Sequence, residues 1–185
     1  MDAVLERATE VFWRFGYEGA SISALTKAMG VTSPSIYSAF GSKRGLFDAV
    51  LERYSARRSA FKQWALSGPT ARDVAERLLT GAADWLVDPG EPLGCLSVQG
   101  GISAGLDNLD VPAQLAELRG RLETALRDRF ECARVEGDLD ATVDPAALAR
   151  YVHAVFLGMS LQAAAGSSRI ELLDVAHRAL ATWPA

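Results

Sequence analysis

The stretch Gly16–Phe47, GYEGASISALTKAMGVTSPSIYSAFGSKRGLF, decides the fold. Ser21 is a good N-cap for a helix over Ile22–Met29. Gly30 stops that helix. Ser33 is expected to cap the next helix, with Pro34 at its first position, where a missing N–H leaves nothing unpaired. Gly41 ends it. Ser42 caps a further helix through Leu46, Phe47, Val50, Leu51 and Tyr54 to about Trp64. Two short helices across a tight glycine turn hold one helix proud of the surface, where it can enter a groove of duplex DNA.

The same grammar extends in both directions. Val4, Ala8, Val11, Phe12 and Phe15 fall at helical spacing, and Gly16 supplies a stop. Ser67-Gly68-Pro69 is a break. Thr70 with Asp73 reads as a capping box for a fifth helix to about Val87, with Val74, Leu78, Ala82 and Trp85 on one face. Residues 88–92 are rich in turn formers. A glycine-rich sixth helix is expected over Leu93–Leu106. Asp110 caps a seventh, where Leu115, Leu118, Leu122, Leu126 and Phe130 recur at spacings of three or four. Asp144-Pro145 starts an eighth, and Ser168 with Glu171 boxes the start of a ninth. No strand-like alternation of useful length interrupts the series. The expected fold is all-α with about nine helices. A helix-turn-helix DNA-binding domain is expected over 1–45, and a helical ligand-binding and dimerisation domain over 46–185.

Composition narrows the function. Of 185 residues 49% are hydrophobic, enough for a sizeable core. The net charge of −4 is uneven. Residues 1–60 carry eight Lys/Arg against six Asp/Glu, and the remainder eleven against seventeen. A mildly basic head on an acidic body suits contact with nucleic acid at one end only. No apolar run reaches the ~18 residues that cross a bilayer. No basic-then-apolar leader opens the chain, so the cytoplasm is the expected compartment and no membrane the expected partner. Cys95 and Cys132 fit neither a zinc pattern nor a redox CxxC. His153 and His177 have no partner at metal spacing. The glycine-rich segment lacks the Gly-Lys-Ser/Thr ending of a phosphate loop. No catalytic residue, metal or cofactor is expected.

The outward side of the third helix is short and polar. Thr32, Ser33, Ser35 and Ser38 let its backbone approach base edges, and Pro34 adds an apolar contact. Tyr37 can donate to a phosphate. Lys43 adds charge beside helix N-terminal N–H groups that already favour anions.

The segments ATEVFWRFGYEGASISALTKAMGV and SPSIYSAFGSKRGLFDAVL resemble the DNA-binding domain of TetR-family transcriptional regulators over about Ala3–Val50. The resemblance implies an all-helical homodimer whose first three helices bind operator DNA and whose remainder binds a small-molecule effector and the partner subunit. It implies phosphate contacts for Ser21, Ser23, Tyr37 and Lys43, and base-edge contacts for Ser33, Pro34, Ser35 and Ser38. The third helix lacks the Arg, Asn or Gln that discriminate bases by paired hydrogen bonds. Thymine-methyl contacts and DNA shape then carry more of the specificity.

In the body, the eighth helix (Tyr151–Leu161 at its centre) is apolar almost all round and must be covered on more than one face. With the ninth it is expected to form the dimer interface. Trp64, Trp85, Phe130, Phe156 and Met159 are candidate walls of a ligand cavity, with Cys95, Gln99 and Tyr151 as its polar groups. The expected protein is a repressor released from its operator by a small molecule. The alternative is a helical carrier or enzyme for a small apolar molecule, with no DNA role.

Overall fold

The computed structural model describes residues 2–100, 108 and 110–184. Among these it contains nine helices and no strand. They are α1 (Asp2–Gly19), α2 (Ile22–Met29), α3 (Ser33–Phe40), α4 (Lys43–Leu66), α5 (Ala71–Trp85), α6 (Leu96–Gln99), α7 (Asp110–Glu136), α8 (Pro145–Ala164) and α9 (Arg169–Leu180).

Local chemistry sets most of the boundaries. The Ser21 hydroxyl accepts from Ala24 N–H at 3.1 Å and starts α2. Gly30, at φ 69°, lets the chain leave α2 in a left-handed conformation while its N–H still donates to Thr26 O. A β-carbon at that backbone angle is strained, so glycine sets the turn. Ser42 caps α4, and both boxes, Thr70/Asp73 and Ser168/Glu171, close reciprocally. In α1 the helical path breaks at Gly16 (φ 67°, ψ 177°), and one further turn reaches Gly19.

Two boundaries differ from expectation. Thr32, not Ser33, caps α3: it lies in extended backbone and its Oγ1 accepts from Ser35 N–H. Two consecutive hydroxyls could serve, and the role falls to Thr32, whose extended backbone turns its Oγ1 toward the first turn. Ser33 is then the first helical residue. The expected sixth helix over Leu93–Leu106 is a single turn among the described residues. Gly94 sits at φ 87°, which an α-helix does not use, and Gly100 caps the turn. Residues 101–107 of that expectation lie outside the described part.

The head is locked by an aromatic cluster. The Phe12 and Tyr17 rings from α1 meet Phe47 of α4 edge-on at 4.9 and 5.1 Å. Leu25, Met29 and Ile36 complete this core and are buried. α3 docks on α4 very closely: a β-carbon on Gly45 would stand 2.0 Å from Phe40 O. In the body, α8 packs mainly on α7 and α9 on α5. α4 belongs to both halves.

Candidate functional site

The α3 face is open. Thr32, Pro34, Ser35, Tyr37 and Ser38 are exposed, with Tyr37 at 48%, while Ile36 is buried at 1%. Ser33 is half-buried. One anchored side and one bare side follow from the spacing of Ile36 and Phe40 toward the core. Thr32 and Ser35 share a hydrogen bond at 2.9 Å, so these hydroxyls are held in place while still able to reach outward. Ser21 and Ser23, at the start of α2, are exposed beside this face. Lys43, the first residue of α4, lies over the Tyr17 ring at 4.4 Å. Burial pulls its ammonium below the usual value and the Glu18 carboxylate pulls it back. The stacking fixes the direction of the charge at a helix N-terminus, where anions are already favoured.

Several polar links join head to body among the described residues, Glu6 of α1 with Arg53 and Arg57 of α4 included. Trp13 Nε1 donates to Gln99 Oε1 at 2.7 Å, and Asn108 donates to Glu18 at 2.9 Å. Arg44 on α4 reaches Asp110 and Gln114 of α7 as well as Asp48, and Gln114 returns a bond to Asp48. Arg44 is therefore engaged in the body, unlike its neighbour Lys43.

The body holds a recess between α4, α5, α7 and α8, with about 510 Å³ of empty space counting its open mouth. It brings together three of the sequence candidates, Trp85, Cys95 and Phe156. The other five lie elsewhere. Trp64 is 49% exposed against Phe61 on the outer side of α4. Phe130 is sealed against Trp183. Met159 is fully buried core, Tyr151 faces outward beside Thr182, and Gln99 is occupied by Trp13.

Residues that the sequence reading passed over complete the recess: Tyr54, Arg58, Lys62, Ser97, Arg119 and His153. Tyr54, Arg58, Phe61 and Lys62 recur at spacings of three or four on α4, a signal open to reading but disguised as an ordinary charged face. The Arg58 guanidinium stacks on Trp85 at 4.3 Å and pairs with Glu91. Cys95 Sγ sits between Tyr54 Oη and Ser97 Oγ, 3.1 Å from each. His153 Nδ1–H donates to Glu123 at 3.0 Å, and burial holds the imidazole below its ordinary pKa against that partner's upward pull. Three buried atoms here have no hydrogen-bond partner: Arg58 Nε, Trp85 Nε1 and His153 Nε2. Each such group raises the free energy by about 1–3 kcal/mol. No cluster able to hold a metal exists among the described residues.

A third surface is apolar and uncovered. Tyr151, Leu161, Ile170 and Val175 on α8 and α9 are 43%, 46%, 70% and 40% exposed. Gly158, in the same stripe, has no atom within 4 Å of where its β-carbon would stand.

Comparisons with known proteins bear first on the head. A family model described as bacterial regulatory proteins, tetR family, matches residues 4–50. Over 99% of its length the chain is 30% identical to the HTH-type transcriptional repressor ComR of Escherichia coli (strain K12), covering 88% of it. It is 28% identical to the uncharacterized HTH-type transcriptional regulator YezE of Bacillus subtilis (strain 168), over 92% of this chain and 89% of that one. Among solved structures it resembles a cysteine mutant of the TetR family transcriptional regulator CifR, complexed with a 26bp double-strand operator DNA. The TM-score is 0.95 and the identity 38%, over 99% of this chain and 96% of that one.

Proposed function

The chain belongs to the tetR family of bacterial regulatory proteins, a family of transcriptional regulators rather than enzymes, and from that premise we propose how its three surfaces divide the work. The head, residues 1–45, binds operator DNA as one half of a homodimer in the cytoplasm. The body, residues 46–185, holds the partner subunit and a small-molecule effector. The effect on transcription is repression, relieved when the effector binds.

The observation that carries this reading is the bare hydroxyl edge of α3 above a sealed Ile36. Ser33, Pro34, Ser35 and Ser38 reach base edges. Ser21, Ser23, Thr32, Tyr37 and Lys43 hold the phosphates on either side. Two such helices, about 34 Å apart across a two-fold axis, fit successive major grooves of a near-palindrome. The uncovered stripe from Tyr151 to Val175 supplies the self-complementary face that such a dimer needs.

α4 couples the two jobs. It carries Lys43 at the DNA and Lys62 in the recess, about 28 Å apart at 1.5 Å per residue. Tyr54, in the recess wall, meets Trp13 of α1 edge-on at 5.2 Å. An effector that shifts α4 changes the separation of the recognition helices. A coupling of about 1–3 kcal/mol changes DNA affinity about 5–150-fold.

The test is selection of a duplex from a random library by the purified protein, followed by binding at several salt concentrations. A near-palindromic duplex whose affinity drops steeply with salt is expected. Failure to select any duplex would falsify the reading and favour a helical carrier.

A further inference from the structure

The recess described above is one-sided in its chemistry. Its charged lining residues are Arg58, Lys62 and Arg119, beside His153; no carboxylate lines it. Glu91 and Glu123 stand behind, committed to Arg58 and to His153 Nδ1. Lys62 is half-buried and, among the described residues, has no hydrogen bond or ion pair. Burial lowers the affinity of its amine for a proton; Cys95 opposes that shift, and the nearby Arg121 and Arg58 charges add to it. Arg58 Nε and Trp85 Nε1 are N–H donors shut away from water without an acceptor. Beside them the wall is apolar and aromatic: the Trp85 ring, stacked under Arg58, lies 6.0 Å from Phe156 and 6.2 Å from Phe61.

We propose that this recess binds a small organic anion, a carboxylate on an aromatic or alicyclic body, with its head at Lys62, Arg58 and Arg119 and its body on Phe61, Trp85 and Phe156. The inference rests on the reading of the recess as the effector site and names the class of effector. A carboxylate supplies the acceptors that the orphaned donors lack and the charge that Lys62 lacks. A cationic ligand would meet Lys62 and Arg119 with no lining acid to receive it, since Glu91 is already paired with Arg58. A neutral one would leave Lys62 buried and unpaired.

The test uses the full chain and matched probes: benzoate, phenylacetate, cyclohexanecarboxylate and indole-3-acetate, each beside its methyl ester and the amine of the same skeleton. Binding is read by tryptophan fluorescence and by thermal shift. At least one acid is expected to bind roughly tenfold or more tighter than its ester and amine, the loss that follows when a charge-assisted hydrogen bond is removed. Lys62→Met should erase that preference while leaving ester binding in place, and Lys62→Arg should keep it. The proposal is overturned if no acid binds, if esters or amines bind as well as acids, or if Lys62→Met retains the preference. A final arm adds the best acid to the protein on its selected duplex. Acid binding without change in duplex affinity would keep the anion site and sink the effector reading. Intact duplex binding with no acid bound would sink the anion site alone.

Discussion

The exposed α3 face and the recess under α4 are both polar, and they handle that polarity in opposite ways. On α3 the hydroxyls lie in water, and Thr32 and Ser35 satisfy each other at 2.9 Å. Tyr37 and Ser38 are exposed, so water can satisfy their hydroxyls before DNA arrives. In the recess, Arg58 Nε, Trp85 Nε1 and His153 Nε2 are buried without partners. That site is incomplete until something fills it. A reading surface can be finished in advance, because water covers it when it is idle. On the proposed reading the recess gains from being unfinished, because the free energy its ligand recovers can shift α4.

The largest expected effect breaks the head side of this contrast. Tyr37→Ala with Lys43→Ala should weaken duplex binding about a hundredfold or more, since on the proposed reading each subunit loses two phosphate contacts, one of them charged. The helical signal should be unchanged, because Tyr37 is exposed and neither side chain is in the head core. Fluorescence anisotropy beside circular dichroism reads both, and unaltered DNA binding would remove these residues from the interface.

Next in size is the anchoring beneath α3. Phe47→Ala should destabilise the fold by about 3–5 kcal/mol, since a fully buried ring is deleted. Gly45→Ala should lower stability by about 1–3 kcal/mol, because the new methyl stands 2.0 Å from Phe40 O and α3 must shift. If the α3 face is held as described, Gly45→Ala should also weaken DNA binding, whereas Thr70→Ala should not. Thr70→Ala loses a capping box in the body and should reduce stability by about 1 kcal/mol, read by urea unfolding.

The smallest effect sharpens the recess side. The folded pKa of His153 is lowered, chiefly by burial. The folded state therefore binds fewer protons than the unfolded state in the window below the ordinary value of 6.5. This contribution is fully present above that value and is lost as pH falls through the window. His153→Gln should flatten the fall in melting temperature between about pH 7 and pH 5 by a small margin. An unchanged slope would show that the imidazole titrates as freely in the fold as outside it.

The two regions also differed in how far they could be read from sequence. The head was legible because each boundary is decided within a few residues: Ser21, Gly30, Gly41 and Ser42 act on backbone groups three or four positions away. Even the one slip there, Thr32 in place of Ser33 as cap, moves the start of α3 by a single residue. The recess is assembled from four helices far apart in the chain. Size and polarity pick out candidates for it but not their direction. Trp64 is as large as Trp85, yet one turns outward and the other stacks under Arg58. Gln99 looked like an orienting group for a ligand and instead ties Trp13 of α1 to the body. Nothing within α4 itself marks Arg58 and Lys62 for the recess; the packing of α4 on α5 and α7 brings them to it.

The central claim is that the open edge of α3 faces the bases. A single cysteine tests it directly. In a Cys132→Ser background, where Cys95 is buried, the alkylation rate of Ser35→Cys can be measured with and without the selected duplex. Ser59→Cys on the exposed side of α4 serves as control. The account predicts strong protection at position 35 and none at 59. Equal alkylation of position 35 in free and DNA-bound protein would contradict it.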